Sequence, residues 1–596
     1  MRSAWRRWPV VLVPLLLAAV GIYAQNLTLA EWNRVVDYQT PYARDLPRAA
    51  ATARLTPQVV LVVVDGLRRD TSERLPFLEE LRGRGASRVA ITGQPSLSLP
   101  AVANFGMGAE PEIHGVTTNW YEGTAPLDSV FASARRMGLK TAVAGNRNWV
   151  QLYGGDLQVQ RVIDSEGEAA DDEVLEAAEE ILEREHPALL VVHFSSLDEA
   201  GHSHGARSAE YAGVAAAIDS RLRELCGRLD LDRVTLIVAS DHGHVLAGGH
   251  GGWEREVLEA PVILAGRGIK PGRLPPARQA DVGPTIAALL GVGTPSGATG
   301  RAWLEALDAG ERELAEKAVA QAEARLALAS AYLEVLGAKM ASGRLTQAAE
   351  TLDQLRGLAA SPTDGSWQEV LSGALALDGD LVQAMSAGRA ERVARERWLR
   401  LPLSLVLFAV PAAAFALVCR RQRYFWPALA WGAGALALFV GLFYAHGLRF
   451  SLSAFNSESQ IRHFFTQRLI ESAGTSLFAA AGLGVTVGMA AGRRSQAGPG
   501  QGPGWQAAGA AVTATAFALF LLFVQVVAFY CAYGLSFSGL LPHLGWGLKF
   551  YLDLLQATAV GVSAPACPLL AAGLAWVAAR LAGAVSGKSG VSPGRV

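Results

Sequence analysis

Long apolar runs constrain the fold of this sequence more than any other feature. One run lies near the first residue, and five more follow Arg400. Each is close to the length of about 20 residues that an α-helix needs to cross the hydrocarbon core of a membrane. The runs cover residues 8–24, 401–419, 425–445, 475–491, 507–533 and 555–582. We therefore expect six membrane-spanning helices.

Basic residues between these runs predict how the helices are oriented. Arginines cluster in residues 420–423 and at Arg493 and Arg494. Because basic residues concentrate on the cytoplasmic side of a membrane, both termini are expected inside, and the long region after the first run is expected outside. Residues 1–25 are typical of a signal anchor or, alternatively, of a cleaved signal peptide. We expect a multi-pass protein of a bacterial inner membrane whose first large domain is periplasmic.

The composition divides the rest of the chain into domains. In residues 26–309, short β-rich runs alternate with amphipathic helical stretches, which predicts an α/β domain with a mostly parallel sheet between helices. Residues 310–398 are rich in Ala, Leu, Glu and Arg and predict a helical connector. Residues 399–584 follow as a transmembrane region of five α-helices, and residues 585–596 as a cytoplasmic tail.

Charge and cysteine content exclude two classes of protein. The formal net charge of -1 gives no basic surface of the kind that nucleic-acid binding requires. Of the four cysteines, only Cys226 lies outside an apolar run. A disulfide framework and a zinc site built from thiolates are therefore not expected.

Aspartate and histidine residues recur where the predicted strands end. The carboxyl ends of parallel strands meet at one edge of a sheet, which is the usual place for a site in open α/β folds. The candidates are Asp65, Asp198, His202, Asp241, His242 and His250. Six such ligands fit two divalent cations with three protein ligands each. Carboxylate and imidazole ligands without thiolates favour zinc, with manganese as the alternative.

Two serines in the segment QPSLSLP are candidates for a nucleophile. Ser96 and Ser98 follow a strand-like run and precede a segment compatible with a helix. A serine at a helix N-terminus is favoured for an alkoxide and for an incoming phosphate, and two nearby metals suit phosphoryl transfer. The other histidines are expected to have different roles. We expect packing or loop roles for His114, His193 and His244, and a substrate-side role for His204.

Five motifs carry a resemblance to a known family. VVVDGLRRD, PSLSLP, LDEAGHSHG, SDHGH and GGHGG, in this order and spacing, resemble the alkaline phosphatase superfamily. The branch is that of the nucleotide pyrophosphatase/phosphodiesterases and of the ethanolamine phosphate transferases of glycolipid-anchor synthesis. The resemblance covers residues 57–307 and implies an alkaline-phosphatase-like fold with a two-zinc site. It implies one ion on Asp65, Asp241, His242 and Ser98, and the other on Asp198, His202 and His250.

The same resemblance implies roles for single residues. Ser98, by its place before the proline of SLSLP, corresponds to the nucleophile, and Ser96 is the alternative. Ala101 stands where the phosphodiesterases have a phosphate-contacting asparagine. Asn104 is therefore the candidate for binding substrate phosphate in this chain.

The resemblance also implies an activity. We expect a membrane-anchored phosphoryl-group transferase that acts on phosphodiesters through a covalent phospho-serine, of the phosphoethanolamine type and with a lipid donor. The alternative is an exported metal-dependent phosphodiesterase or phosphatase that is only anchored to the membrane. A non-catalytic scaffold is disfavoured because all six ligands and a serine are present. The expected partners are a phosphodiester or phospholipid substrate and membrane lipid.

Overall fold

The structure is a computed structural model, and it describes most of the chain. The described residues are 8–42, 45–338, 342–362, 365–420, 422–455, 460–493, 502–534, 540–541 and 544–588. Arg421, Arg494 and the predicted cytoplasmic tail beyond Lys588 lie outside the described residues.

Within these residues, the β-rich runs form one nine-stranded sheet. The strands are β1 (Gln58–Val64), β2 (Ala86–Ile91), β3 (Thr141–Gly145), β4 (Val159–Val162), β5 (Leu189–Phe194), β6 (Val234–Ala239), β7 (Glu259–Gly266), β8 (Gly272–Arg273) and β9 (Ala277–Arg278). Their order is β4-β3-β5-β1-β6-β7-β2-β8, and β9 pairs with β2. Only β7 runs antiparallel to its neighbours, β6 and β2. The predicted mostly parallel sheet is therefore confirmed.

Helices cover both faces of this sheet. In the α/β domain they are α2 (Arg69–Ser72), α3 (Pro76–Arg84), α4 (Ser98–Met107), α5 (Pro111–His114), α6 (Val130–Arg136), α7 (Arg147–Tyr153), α8 (Glu168–Arg184), α9 (Ser196–His204), α10 (Ala209–Gly227), α11 (Arg255–Leu258) and α12 (Val282–Leu290). Short 3₁₀ turns cover Gln279–Asp281, Leu304–Ala306 and Leu452–Ala454. The central strand β1 is buried on both sides, with Leu61 in one apolar cluster and Val62 in the other. This double burial explains why its sequence is a continuous apolar run.

Strand register brings three loops to the same edge of the sheet. In β1, Val64 pairs with Phe194 of β5 and Val63 pairs with Ala239 of β6. The residues that follow these parallel strands therefore leave the sheet side by side. Asp65 and the segments that carry Asp198 and Asp241 are thus brought together by backbone pairing.

The remaining helices form the connector and the membrane region. They are α1 (Trp8–Val36), α13 (Glu311–Leu336), α14 (Ser342–Ala360), α15 (Ser366–Cys419), α16 (Phe425–Ala445), α17 (Ile461–Gly492), α18 (Pro503–Tyr533), α19 (Leu544–Ser563) and α20 (Ala566–Lys588). Six helices of the described chain are long and apolar enough to cross a membrane. This supports the predicted multi-pass membrane protein.

Several helix bounds differ from the sequence prediction, and among them α17 begins at Ile461, fourteen residues before the predicted run at 475. Helix α1 continues to Val36, eleven residues beyond the predicted boundary at residue 25. Helix α15 is a single element of 54 residues, so the predicted boundary between connector and membrane region at 398/399 falls inside it. The last apolar run, 555–582, covers parts of both α19 and α20, which are separated at Ala564 and Pro565. An apolar run predicts only the part of a helix that lies in the membrane. The helix itself can continue into polar residues, which the run does not include.

Helices α19 and α20 lie end to end along α17. Phe464 of α17 packs in one cluster with Leu548 and Leu552 of α19. Further along, a Cβ added to Gly488 would collide with the carbonyl oxygen of Ala575 on α20. Glycine is required there because small residues let membrane helices approach closely.

A buried ion pair fastens the connector to the α/β domain. Arg325 of α13 donates through Nε to Asp378 Oδ1 of α15 at 3.0 Å, and through Nη1 and Nη2 to the carbonyl oxygens of Ala298 and Gly300, both at 2.8 Å. The guanidinium is fully enclosed, with 2% of the side chain exposed. One side chain therefore joins three segments.

We expect Arg325→Ala to destabilise the protein by about 3–5 kcal/mol, because it leaves the buried Asp378 carboxylate unpaired. The measurement is the thermal unfolding midpoint of the detergent-solubilised full chain. Arg184→Ala is the matched control, since Arg184 forms an exposed pair with Glu180 and such pairs contribute about 0–1 kcal/mol. Equal shifts of the midpoint in the two variants would contradict this role.

Candidate active site

The first group of predicted ligands, which we call subsite 1, consists of Asp65, Asp241 and His242. Asp65 directly follows β1, and the other two follow β6. The His242 Nε2 atom lies 3.5 Å from Asp65 Oδ1 and 3.4 Å from Asp241 Oδ2. All three side chains are buried, and their ligand atoms are close enough together to hold one metal ion.

The second group, subsite 2, consists of Asp198, His202 and His250. The first two lie one turn apart on α9, which puts both side chains on the same face of the helix. His202 Nε2 is 3.3 Å from Asp198 Oδ2 and 3.1 Å from His250 Nε2. The rings of His242 and His250 stack with centroids 3.8 Å apart, so the two subsites are adjacent.

The electrostatics of subsite 1 fit a bound cation. Asp65 Oδ1 and Asp241 Oδ2 are buried and accept no hydrogen bond from the part of the chain that the structure describes. Burial, and then the charge of Asp241, raise the pKa of Asp65 well above its usual range, and burial also raises the pKa of Asp241. A divalent cation would offset the cost of burying these carboxylates.

Subsite 2 differs because the pKa of its carboxylate is lowered rather than raised. Burial would raise the pKa of Asp198, but His202 and His250 outweigh burial and hold the pKa well below its usual range. Burial lowers the pKa of His242 to about 3 and that of His250 well below its usual range. These rings are therefore neutral at physiological pH, the state in which imidazole binds a metal.

The structure distinguishes the two candidate serines. Ser98 is the first residue of α4, and its Oγ lies 3.3 Å from His242 Nε2 of subsite 1. Ser96 instead donates its hydroxyl to the carbonyl oxygen of Gly252 at 3.0 Å. Only Ser98 thus combines a helix N-terminus with contact to the ligand cluster.

Asn104 lies apart from this cluster. Its side-chain amide is 2.8 Å from Gln279 Oε1 and 2.9 Å from His114 Nε2. Because it follows Ser98 by six residues on the same helix, it lies about 9 Å further along the axis. Asn119, which the sequence analysis did not single out, accepts a hydrogen bond from the Leu99 N–H at 3.0 Å and lines the cavity beside Ser98.

Two histidines expected to pack elsewhere lie against the ligands. His244 Nε2 is 2.8 Å from Asp198 Oδ1, and His244 forms a further possible metal-binding group with Asp198 and His242. His193 Nε2 is 3.2 Å from Asp65 Oδ2, while its Nδ1 accepts from Trp149 Nε1 at 2.8 Å. His244 could have been suspected from its place in SDHGH, but His193 lies inside a strand without any such signal. His204 is exposed and outside the cluster.

The ligand cluster opens into a cavity of about 270 Å³ that the membrane region helps to form. The α/β domain contributes Ser98, Asn119, Asp198, His202 and His250. Apolar and aromatic side chains form the facing wall. They are Trp32 and Val35 of α1, Leu452 and Phe455 of the loop after α16, Ile461 of α17, and Leu548 and Tyr551 of α19.

A buried carboxylate joins this membrane loop to the loop that carries His250. Glu254 Oε2 accepts hydrogen bonds from the hydroxyls of Ser451 at 2.9 Å and Ser453 at 2.8 Å. The Gly252 N–H donates to Ser453 Oγ at 3.0 Å. The position of subsite 2 is thereby tied to the membrane region.

Comparison with known proteins finds a family whose model matches most of the α/β domain. Residues 59–152 and 146–248 match the family of type I phosphodiesterases and nucleotide pyrophosphatases. These segments contain Ser98, Asn119 and every ligand of the two subsites except His250, which follows directly. The resemblance of the motifs to this family is confirmed.

The chain is also similar to particular curated proteins. It is 27% identical over 274 residues to the human GPI ethanolamine phosphate transferase 2, catalytic subunit, covering 41% of this chain and 27% of that protein. It is 26% identical over 414 residues to the human GPI ethanolamine phosphate transferase 3, catalytic subunit, covering 63% of this chain and 37% of that one. The chain therefore spans only about a quarter to two fifths of the length of these relatives.

A solved structure of the alkaline phosphatase PafA covers 43% of this chain and all of its own, at 12% identity and a TM-score of 0.37. At this TM-score, we infer nothing from the likeness.

We expect the purified full chain to carry two metal ions and His202→Ala to retain only one, because subsite 2 loses one of its three ligands. The measurement is elemental analysis after purification without chelators. His204→Ala should retain both ions, since His204 is exposed on the same helix. Equal metal content in the two variants, or a metal-free folded wild type, would contradict the assignment of subsite 2.

Proposed function

We propose that the protein is a membrane-anchored, two-metal phosphoryl-group transferase that acts on phosphodiesters and moves a phosphoethanolamine-type group from a lipid donor. The observation that carries this proposal is the shared cavity, in which ligand residues face apolar side chains of α1, α17 and α19. A phospholipid presents its phosphodiester directly beside its apolar part, and such a cavity suits both. The similarity to GPI ethanolamine phosphate transferases supports the choice of transferred group.

In the first step, Ser98 Oγ attacks the phosphorus of the donor. The new Oγ–P bond forms as Ser98 gives up its hydroxyl proton and the P–O bond to the lipid alcohol breaks, and the alcohol leaves with the electron pair and takes up that proton. The N-terminus of α4 and the side-chain NH2 group of Asn119, whose carbonyl oxygen accepts from the Leu99 N–H, would stabilise negative charge on the phosphoryl oxygens. A covalent phospho-serine results.

In the second step, an acceptor hydroxyl attacks the same phosphorus. The bond from phosphorus to Ser98 Oγ breaks, and the proton of the acceptor passes to the serine. Subsite 1 together with Ser98, and subsite 2, would hold two divalent cations, zinc or manganese. When bound, these ions supply Lewis-acid chemistry that favours the serine alkoxide and the developing charge on the leaving oxygen.

We further propose that the α/β domain lies outside the cytoplasm, in the periplasm of a bacterium. Ile461 at the start of α17 lines the catalytic cavity, whereas Arg493 follows the opposite end of the same 32-residue helix, and Arg420 caps α15. This asymmetry of basic residues supports the orientation.

We expect Ser98→Ala to lower turnover of a soluble aryl phosphodiester by about a thousandfold and to abolish covalent phosphate labelling, because the nucleophile is removed. Both metal ions should remain, since their carboxylate and imidazole ligands are intact. Ser96→Ala is the control, and it should have a small effect because that hydroxyl only donates to Gly252. The reverse result would assign Ser96 as the nucleophile, and small effects in both variants would favour direct attack by water.

A second experiment decides between transfer and hydrolysis. The full chain in lipid nanodiscs is supplied with headgroup-labelled phosphatidylethanolamine, and the label is followed into lipid, glycan and water-soluble products. We expect label in a lipid or glycan acceptor and none with Ser98→Ala. Release of the label to water alone, with every acceptor present, would establish the hydrolase alternative.

A further inference from the structure

The two carboxylates of subsite 1 are held in the same way. Asp241 Oδ1 accepts hydrogen bonds from the backbone N–H groups of Gly66 at 3.0 Å and His242 at 2.9 Å. Asp65 Oδ2 lies 3.2 Å from His193 Nε2. The other oxygens, Asp241 Oδ2 and Asp65 Oδ1, are buried without a hydrogen bond from the described chain and lie 3.4 and 3.5 Å from His242 Nε2. Each carboxylate therefore has one oxygen held and one free.

Trp149 determines which nitrogen of His193 carries the proton. The indole Nε1–H of Trp149 can only donate, and it lies 2.8 Å from His193 Nδ1. His193 Nδ1 must therefore accept, so the proton of this ring is on Nε2, which faces Asp65 Oδ2. Both rings are fully buried. The hydrogen bonds thus run in one direction, from Trp149 through His193 to Asp65.

The helix that carries Trp149 also supports α4. The Trp149 ring stacks on Phe105 of α4 with centroids 6.3 Å apart. Tyr153, at the end of the same helix α7, donates its hydroxyl to the carbonyl oxygen of Val102 at 3.1 Å. Helix α7 therefore contacts both the helix that begins at the candidate nucleophile and, through His193, a ligand of subsite 1.

We propose that His193 and Trp149 are positioning residues for the metal ion of subsite 1. By holding Oδ2 of Asp65, the pair leaves Oδ1 for the ion and keeps the carboxylate from turning about its Cβ–Cγ bond. Loss of a hydrogen-bond partner of a metal ligand typically lowers metal affinity about 10–100-fold. The inference rests on the metal-binding part of the proposed function and is independent of the group that is transferred.

The affinity for zinc tests this role separately from activity. In His202→Ala, the ion of subsite 1 is the one expected to remain. Its dissociation constant is measured on the detergent-solubilised full chain by competition with a chromophoric chelator. Adding His193→Leu should raise this constant about 10–100-fold, because the donor to Asp65 Oδ2 is lost. Adding Trp149→Phe instead should raise it by a smaller factor, since His193 stays but its proton is no longer fixed on Nε2.

Two further variants in the same background separate positioning from damage to the fold. His193→Gln should keep most of the zinc affinity, because the glutamine side-chain N–H can replace the Nε2–H as donor to Asp65. His114→Leu is the matched control. His114 is also fully buried, but its Nε2 lies against Asn104 and not against a ligand. It should leave the dissociation constant unchanged.

Several results would overturn the proposal. They are an unchanged dissociation constant in His193→Leu, an equal loss of affinity in His193→Leu and His193→Gln, an equal loss in His114→Leu, and a folded His202→Ala chain without zinc. If His193→Leu does not fold, Trp149→Phe decides, and unchanged affinity in that variant contradicts the role.

Turnover of a soluble aryl phosphodiester by wild type keeps this inference distinct from the proposed function. Weaker zinc binding in His193→Leu, together with no turnover by wild type, contradicts the catalytic proposal and supports the positioning role. Turnover by wild type, together with unchanged zinc binding in His193→Leu, contradicts the positioning role and supports the catalytic proposal.

Discussion

The balance of charge among three buried carboxylates is the constraint on which the rest of the structure depends. Asp65, Asp198 and Asp241 lie within one cluster at the edge of the sheet, and burial opposes the charged form of each. The pairing of β1 with β5 and β6 brings the three carboxylates together, although burial makes their charged forms unfavourable. Imidazoles hold the pKa of Asp198 low, yet Asp65, Asp198 and Asp241 each retain a buried oxygen atom without a hydrogen bond among the described residues. Buried carboxylate oxygens of this kind are suited to bind cations.

The membrane region completes the site as well as anchoring it. The hydrogen bonds from Ser451 and Ser453 to Glu254 fix the loop that carries His250, and side chains from α1, α17 and α19 form a wall of the cavity. The extension of α1 to Val36 brings Trp32 and Val35 to this wall. Attachment to the membrane therefore determines the shape of the substrate space. An apolar wall opposite charged ligands suits an amphiphilic substrate better than a small soluble one.

A large part of this arrangement follows from local sequence pattern. Strands buried on both faces are continuous apolar runs, and an aspartate directly after such a run must lie at the edge of the sheet, as Asp65 does. The spacing of Asp198 and His202 places both on one face of a helical turn. Apolar runs of sufficient length similarly predict membrane helices. Each of these properties depends on residues that are close together in the chain.

The tertiary structure alone decided which residues meet from distant parts of the chain. The local pattern offers both Ser96 and Ser98, and the motif resemblance favours Ser98; the structure adds that the Ser98 hydroxyl lies beside His242, 144 residues away. Asn119, rather than Asn104, lines the cavity because its loop folds back on the start of α4. The wall formed by α19 and the placement of His193 against Asp65 likewise have no local signal. Periodicity and spacing encode the element and the face on which a residue lies, whereas contacts between elements depend on packing of the whole chain.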